Sequence, residues 1–133
     1  MRGKLILSVF VALIVCLGFG FAWGASGRVS IQAALDEARQ QLDLAETRGR
    51  ILDARVSLYN INFGDAGRHF EEAKTPLGRV RERYASRPDA VAGIDAALGH
   101  VEEAQRLAGK LDQGANSKAA EALDAIKVAV SRH

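Results

Sequence analysis

From Leu5 to Trp23 the chain reads LILSVFVALIVCLGFGFAW, 19 residues without a charge. At 1.5 Å rise per residue that is about 28 Å of helix, close to the roughly 30 Å hydrocarbon core of a bilayer. A cleavable secretory signal has a shorter apolar region, about 7 to 15 residues, before its small-residue cleavage site. The run is too long for that, and Trp23 stands where interfacial aromatics lie at the end of a span. The expected organisation is a cytoplasmic tip at residues 1–4, a transmembrane signal-anchor helix at 5–24, a linker at 25–28 and an extracytoplasmic helical domain at 29–133. Ala22 and Gly24 form a small-x-small pair, so signal cleavage is the alternative.

The charge distribution sharpens this division. The chain of 133 residues carries 18 Lys+Arg against 16 Asp+Glu, a formal charge of +2. Arg2 and Lys4 precede the apolar run, so 16 bases face 16 acids from Arg28 onward. The basic flank puts the tip in the cytoplasm and the body on the extracytoplasmic or periplasmic side of a cytoplasmic (inner) membrane. A neutral body argues against nucleic acid as a partner, which calls for a basic face with several phosphate contacts. The single cysteine, Cys16, has no disulfide partner in the sequence, so the body relies on packing alone.

Within the apolar run Ser8, Ala12, Cys16, Gly20 and Gly24 recur every fourth residue and are all small. They form one ridge along a helix where a second helix can approach closely, the small-xxx-small arrangement.

Beyond Gly24-Ala25-Ser26-Gly27 the composition favours helix, with 23 alanines in the chain and no β-branched run alternating at period two. A first helix is predicted over Val29–Asn60. Its seam is Ile31, Leu35, Ala38, Leu42, Ala45, Gly49, Leu52, Val56 and Tyr59, alternating spacings of four and three over four heptads. A second stripe, Leu44, Ile51 and Leu58, lies off that seam. Asn62 is placed to cap a second helix whose inner face is Phe63, Ala66, Phe70, Ala73, Leu77, Val80 and Tyr84, with Pro76 predicting a kink or short break near Thr75. The large side chains Tyr59, Phe63, Phe70 and Tyr84 are expected to cluster around this first hairpin. Ser86-Arg87-Pro88-Asp89 starts a third helix to about Leu111, burying Val91, Ile94, Leu98, Val101, Ala104, Leu107 or Ala108, and Leu111. A last helix, capped by Asn116 or Ser117, runs to about Ser131 on Ala119, Leu123, Ile126 and Val130. The fold class is therefore all-α: one amino-terminal transmembrane helix, then a four-helix bundle or two stacked helical hairpins.

The stretch Phe63-x-x-Ala66-x-x-x-Phe70-x-x-Ala73 resembles the second helix of a tetratricopeptide repeat over residues 63–73. That resemblance implies a concave protein-binding face and no catalysis.

No set of residues points to an enzyme. The histidines are His69, His100 and His133; His69 with Glu72 and His100 with Glu103 have His-x-x-Glu order, the reverse of the di-iron bundle motif. There is no Cys-x-x-Cys-His, no Gly-x-Ser-x-Gly and no phosphate loop. No catalytic, metal or cofactor-binding residue is assigned. Arg79, Arg83 and Arg87 share one helical face and are candidates for contact with anionic lipid or an acidic partner.

These features predict a membrane-anchored helical protein-interaction module, a scaffold or accessory subunit of a membrane assembly. Its partners would be the lipid bilayer and protein in or beside the membrane, with self-association through the long first helix as a further possibility. The alternative is a secreted helical bundle, released by signal cleavage, that binds a small apolar ligand or cofactor.

Overall fold

The computed structural model describes residues 2–131, and the side chains of Arg2, Leu5 and residues 21–28 lie outside that description. Among the described residues the chain is all-α, with four helices and no strand: α1 Arg2–Tyr59, α2 Phe63–Arg83, α3 Pro88–Gly109 and α4 Gly114–Ser131. It divides into two units, Met1–Ala38 and Arg39–His133. The backbone of α1 is helical through the expected linker at 25–28.

The second unit is an antiparallel helical bundle. Residues late in α1 reach the start of α4, since Arg55 Nε donates to Asn116 Oδ1 at 2.8 Å. The end of α2 meets the start of α3 through Arg81 and Asp95. The middle of α3 meets α4 through His100 Nδ1 and Glu121 Oε2, 3.2 Å apart. The core is built on Leu44, Ile51, Leu58, Phe70, Leu77, Val80, Ile94, Val101 and Ile126, all essentially inaccessible. Each contributes about 1.5–3 kcal/mol relative to exposure.

Helix α2 buries the face its periodicity predicts: Ala66, Phe70, Ala73, Leu77, Val80 and Tyr84 are buried and Phe63 is partly so. It runs unbroken through Pro76, itself fully buried, so the expected break near Thr75 does not occur.

Helix α1 differs from expectation. The heptad seam does not form the bundle core; Leu44, Ile51, Ala54 and Leu58 do, and Tyr59 is exposed rather than clustered with Phe70 and Tyr84. A helix packed against neighbours on one side hides only one stripe, and here it is that of Leu44, Ile51 and Leu58.

Helices α3 and α4 turn their alanines inward. Ala90, Ala97, Ala104 and Ala108 of α3 and Ala115, Ala119, Ala122 and Ala129 of α4 are buried beside the expected Ile94, Val101 and Ile126, while Val91, Leu98, Leu107, Leu123 and Val130, also expected at the centre, are only partly covered. Small side chains let two helices come close, and the larger ones then flank the contact.

Two turns share one device. Asn62 N–H donates to Ser57 O at 2.8 Å and Ile61 N–H to Leu58 O at 3.0 Å, while Asp112 N–H donates to Leu107 O at 3.0 Å and Leu111 N–H to Ala108 O at 2.9 Å. Both are Schellman closures, which favour glycine at the left-handed position. Here that position holds Ile61 (φ 57°) and Leu111 (φ 59°). Leu111 therefore ends α3 in solvent instead of extending its buried face. The polar residue after each then starts the next helix. Asn62 Oδ1 accepts from Asp65 N–H at 3.2 Å, and an Asp112 carboxylate oxygen accepts from Gly114 N–H at 2.8 Å. Asn116 and Ser117 do not cap α4. Arg87 precedes α3 and Pro88 opens it, as the Ser86-Arg87-Pro88-Asp89 signal predicts.

Candidate functional site

Asp43 lies on the inner side of α1, one residue before the buried Leu44 and one helical turn before the buried Thr47. Its side chain is 8% accessible. Arg79 Nε donates to one carboxylate oxygen at 2.8 Å and Arg83 Nε to the other at 3.0 Å. Arg79 also donates from Nη2 to Glu46 at 2.8 Å. Burial pushes the Asp43 carboxyl up, but hydrogen bonds and charge from Arg79 and Arg83 outweigh it and hold the group below its ordinary value. Gln40 Nε2 donates to the Tyr84 hydroxyl at 2.6 Å, and the Arg87 guanidinium lies 5.0 Å from the Tyr84 ring centroid. Arg79 and Arg83, two of the candidates for contact with lipid or an acidic partner, link α2 to Asp43 of α1. Sequence spacing places Asp43 beside Leu44 and Thr47, but which bases meet it depends on how α2 folds back.

With α1 clamped this way its other side faces outward. Leu42, Ala45, Leu52, Val56 and Tyr59 are exposed and Gly49 is half-buried, so the expected seam is a continuous apolar face on the second unit. Its upstream positions Ile31, Leu35 and Ala38, in the first unit, are exposed too. The Tyr59 hydroxyl is held below its usual pKa by hydrogen bonds with Asn116 and then Arg55. The face is flanked by Glu46, tied to α2, and Arg55, tied to α4.

In the first unit the large apolar side chains from Ile6 to Phe19 are 50–70% accessible and cover every side of the helix. Ser8, Ala12, Cys16 and Gly20 of the small-residue ridge are exposed, and Cys16 and Gly20 line a shallow groove with Leu13 and Leu17. The side chain position of Gly24 lies outside the described residues. Among the described residues no helix is long and apolar enough to cross a membrane. The apolar side chains described run without interruption only from Ile6 to Gly20.

His69 Nδ1 and Glu72 Oε2 are buried 3.4 Å apart without a hydrogen bond between them, and Arg50 Nη1 approaches the same oxygen at 3.0 Å. His100 meets Glu121 on α4, while Glu103 pairs with Arg106. Among the described residues no three His, Cys, Asp or Glu side chains converge as a metal site. A shallow groove of about 450 Å³ between the start of α3 and the end of α4 is lined by Asp89, Ala92, Gly93, Asp124, Ala125, Val128 and Ala129. Two acids at an open groove suit an apolar ligand poorly. Comparison with protein-family models, with curated proteins and with solved structures finds no match.

Proposed function

We propose that the chain is a membrane-anchored helical protein-interaction module, a scaffold or accessory subunit of a membrane assembly. The observation that carries this reading is the apolar helical segment from Ile6 to Phe19, exposed on all sides. A helix apolar all round needs apolar surroundings, either a protein core or lipid. In the sequence the uncharged run continues from Leu5 to Trp23, long enough for lipid. The basic residues Arg2 and Lys4 before the run favour a cytoplasmic tip, and with it an extracytoplasmic bundle. The second unit adds a packed core and an outward apolar face on α1, features of a binding surface.

The test is flotation of the full chain with phosphatidylcholine–phosphatidylglycerol vesicles after carbonate washing, together with the intact mass of the mature product. Retention with the vesicles at full-length mass is expected. A product beginning near Ala25, or one left in the aqueous phase, overturns the anchor.

A further inference from the structure

The outward face of α1 repeats every 3.5 residues, the period at which two helices wind around each other and keep one seam in contact. In the second unit it comprises Leu42, Ala45, Gly49, Leu52, Val56 and Tyr59, and in sequence the same register runs back through Ala38, Leu35 and Ile31. A methyl group added at Gly49 would meet no atom within 4 Å, so the middle of the face is open. We propose that this face binds a second copy of the chain, α1 against α1 in parallel, as a two-stranded coiled coil. The proposal deepens the interaction-module reading above by naming the partner.

Charge selects the occupant and its direction. The two charged residues of the second unit that flank the face without an ion pair or hydrogen bond among the described residues are Arg48 and Asp53. They sit on opposite sides of the seam, five positions apart. That is the spacing at which a residue before one seam position meets, in a parallel partner, the residue after the next. Arg48 of each copy therefore faces Asp53 of the other, twice by symmetry. In the antiparallel alignment the same flanks bring Arg48 near Arg48 and Glu46 near Glu46. Size allows a modest contact: on the second unit Leu42, Leu52, Val56 and Tyr59 are 48–69% accessible, and at roughly 100 Å² apiece they supply about half of the roughly 800 Å² per partner of a standard interface.

The experiment uses the full chain in mild detergent with Cys16→Ser as background. Leu52→Cys, oxidised with copper phenanthroline, is expected to yield a covalent dimer, and Asp124→Cys, exposed in the middle of α4, is not. In the wild-type sequence, Arg48→Glu or Asp53→Arg alone is expected to raise the dimer dissociation constant roughly tenfold, as two exposed pairs turn repulsive. The double exchange is expected to restore it, a rescue that misfolding cannot produce. Overturning results are a monomer by sedimentation, cross-linking at Leu52→Cys no greater than at Asp124→Cys, a failed rescue, or a Leu52→Cys product only with a different protein. Vesicle flotation reads the anchor separately: a dimer that does not float sinks the membrane reading alone, and a floating monomer sinks this one alone.

Discussion

Gly93 on α3 and Ala129 on α4 approach so closely that a methyl group on Gly93 would lie 2.7 Å from the Ala129 Cβ and 3.4 Å from its Cα. Neither atom belongs to a flexible side chain, so relief requires the two helices to separate.

Gly93→Ala is therefore expected to destabilise the bundle by about 1–3 kcal/mol, the usual cost of overpacking. Gly99, two turns on in the same helix, is the control. A methyl group there meets nothing within 4 Å. Gly99→Ala is expected to stabilise by up to about 1 kcal/mol, because glycine is the poorer helix former. Urea unfolding of both variants, in otherwise identical full chains, reads the opposite signs.

The Asp43 clamp makes stability depend on pH. Its carboxyl lies lower in the folded chain than its ordinary value of 3.8. The unfolded chain therefore takes up the proton first as pH falls. The contribution is complete above the ordinary value and is lost as pH drops through it toward the lowered native value. Asp43→Asn is expected to remove this acid-limb slope and to cost about 1–3 kcal/mol at neutral pH, because the negative charge is lost and one of the two acceptor oxygens becomes an NH2 donor facing an arginine N–H. Urea midpoints measured from pH 7 to pH 3 check both, and an unchanged slope in the variant would exclude the clamp as its source.

Ile61 and Leu111 hold left-handed backbone, at φ 57° and 59°, while 71% and 69% exposed. Left-handed backbone costs a residue with a Cβ about 1–2 kcal/mol, and little packing is lost by removing either side chain. Ile61→Gly and Leu111→Gly are each expected to raise stability by about 0.5–1 kcal/mol after the added freedom of glycine in the unfolded chain. Thermal unfolding of the single and double variants tests this, and additive gains are expected because the two turns are separate.

Helix α2 is legible because only one apolar stripe exists on it; a single stripe leaves no choice of inner face. Helix α1 has two. The heptad stripe is longer, yet Leu44, Ile51 and Leu58 are the ones buried. Sequence periodicity ranks stripes by regularity, while packing ranks them by fit to neighbours and by the partners their polar residues find. Asp43 and Thr47 interrupt the buried stripe and weaken it as a pattern. In the bundle Asp43 receives two arginines and Thr47 Oγ1 donates to the Asp43 carbonyl at 2.8 Å, so the interruption is satisfied. In α3 and α4 the spacing places Ile94, Val101, Ala104, Ala119 and Ile126 correctly in the core, whereas Leu98 and Leu123 are only partly covered.

By itself the sequence determined the all-α class, the turn and cap at Asn62, the inner face of α2, and the separation of an uncharged apolar segment from a charge-balanced body. Each follows from local propensity, periodicity or composition, properties of neighbouring residues alone. Tertiary structure decided which face of α1 is buried, that Arg79 and Arg83 serve Asp43, and that Gly93 of α3 packs closely on Ala129 of α4. Those outcomes depend on the distance and rotation between helices, which long-range packing sets, and they leave the α1 seam as an open apolar face.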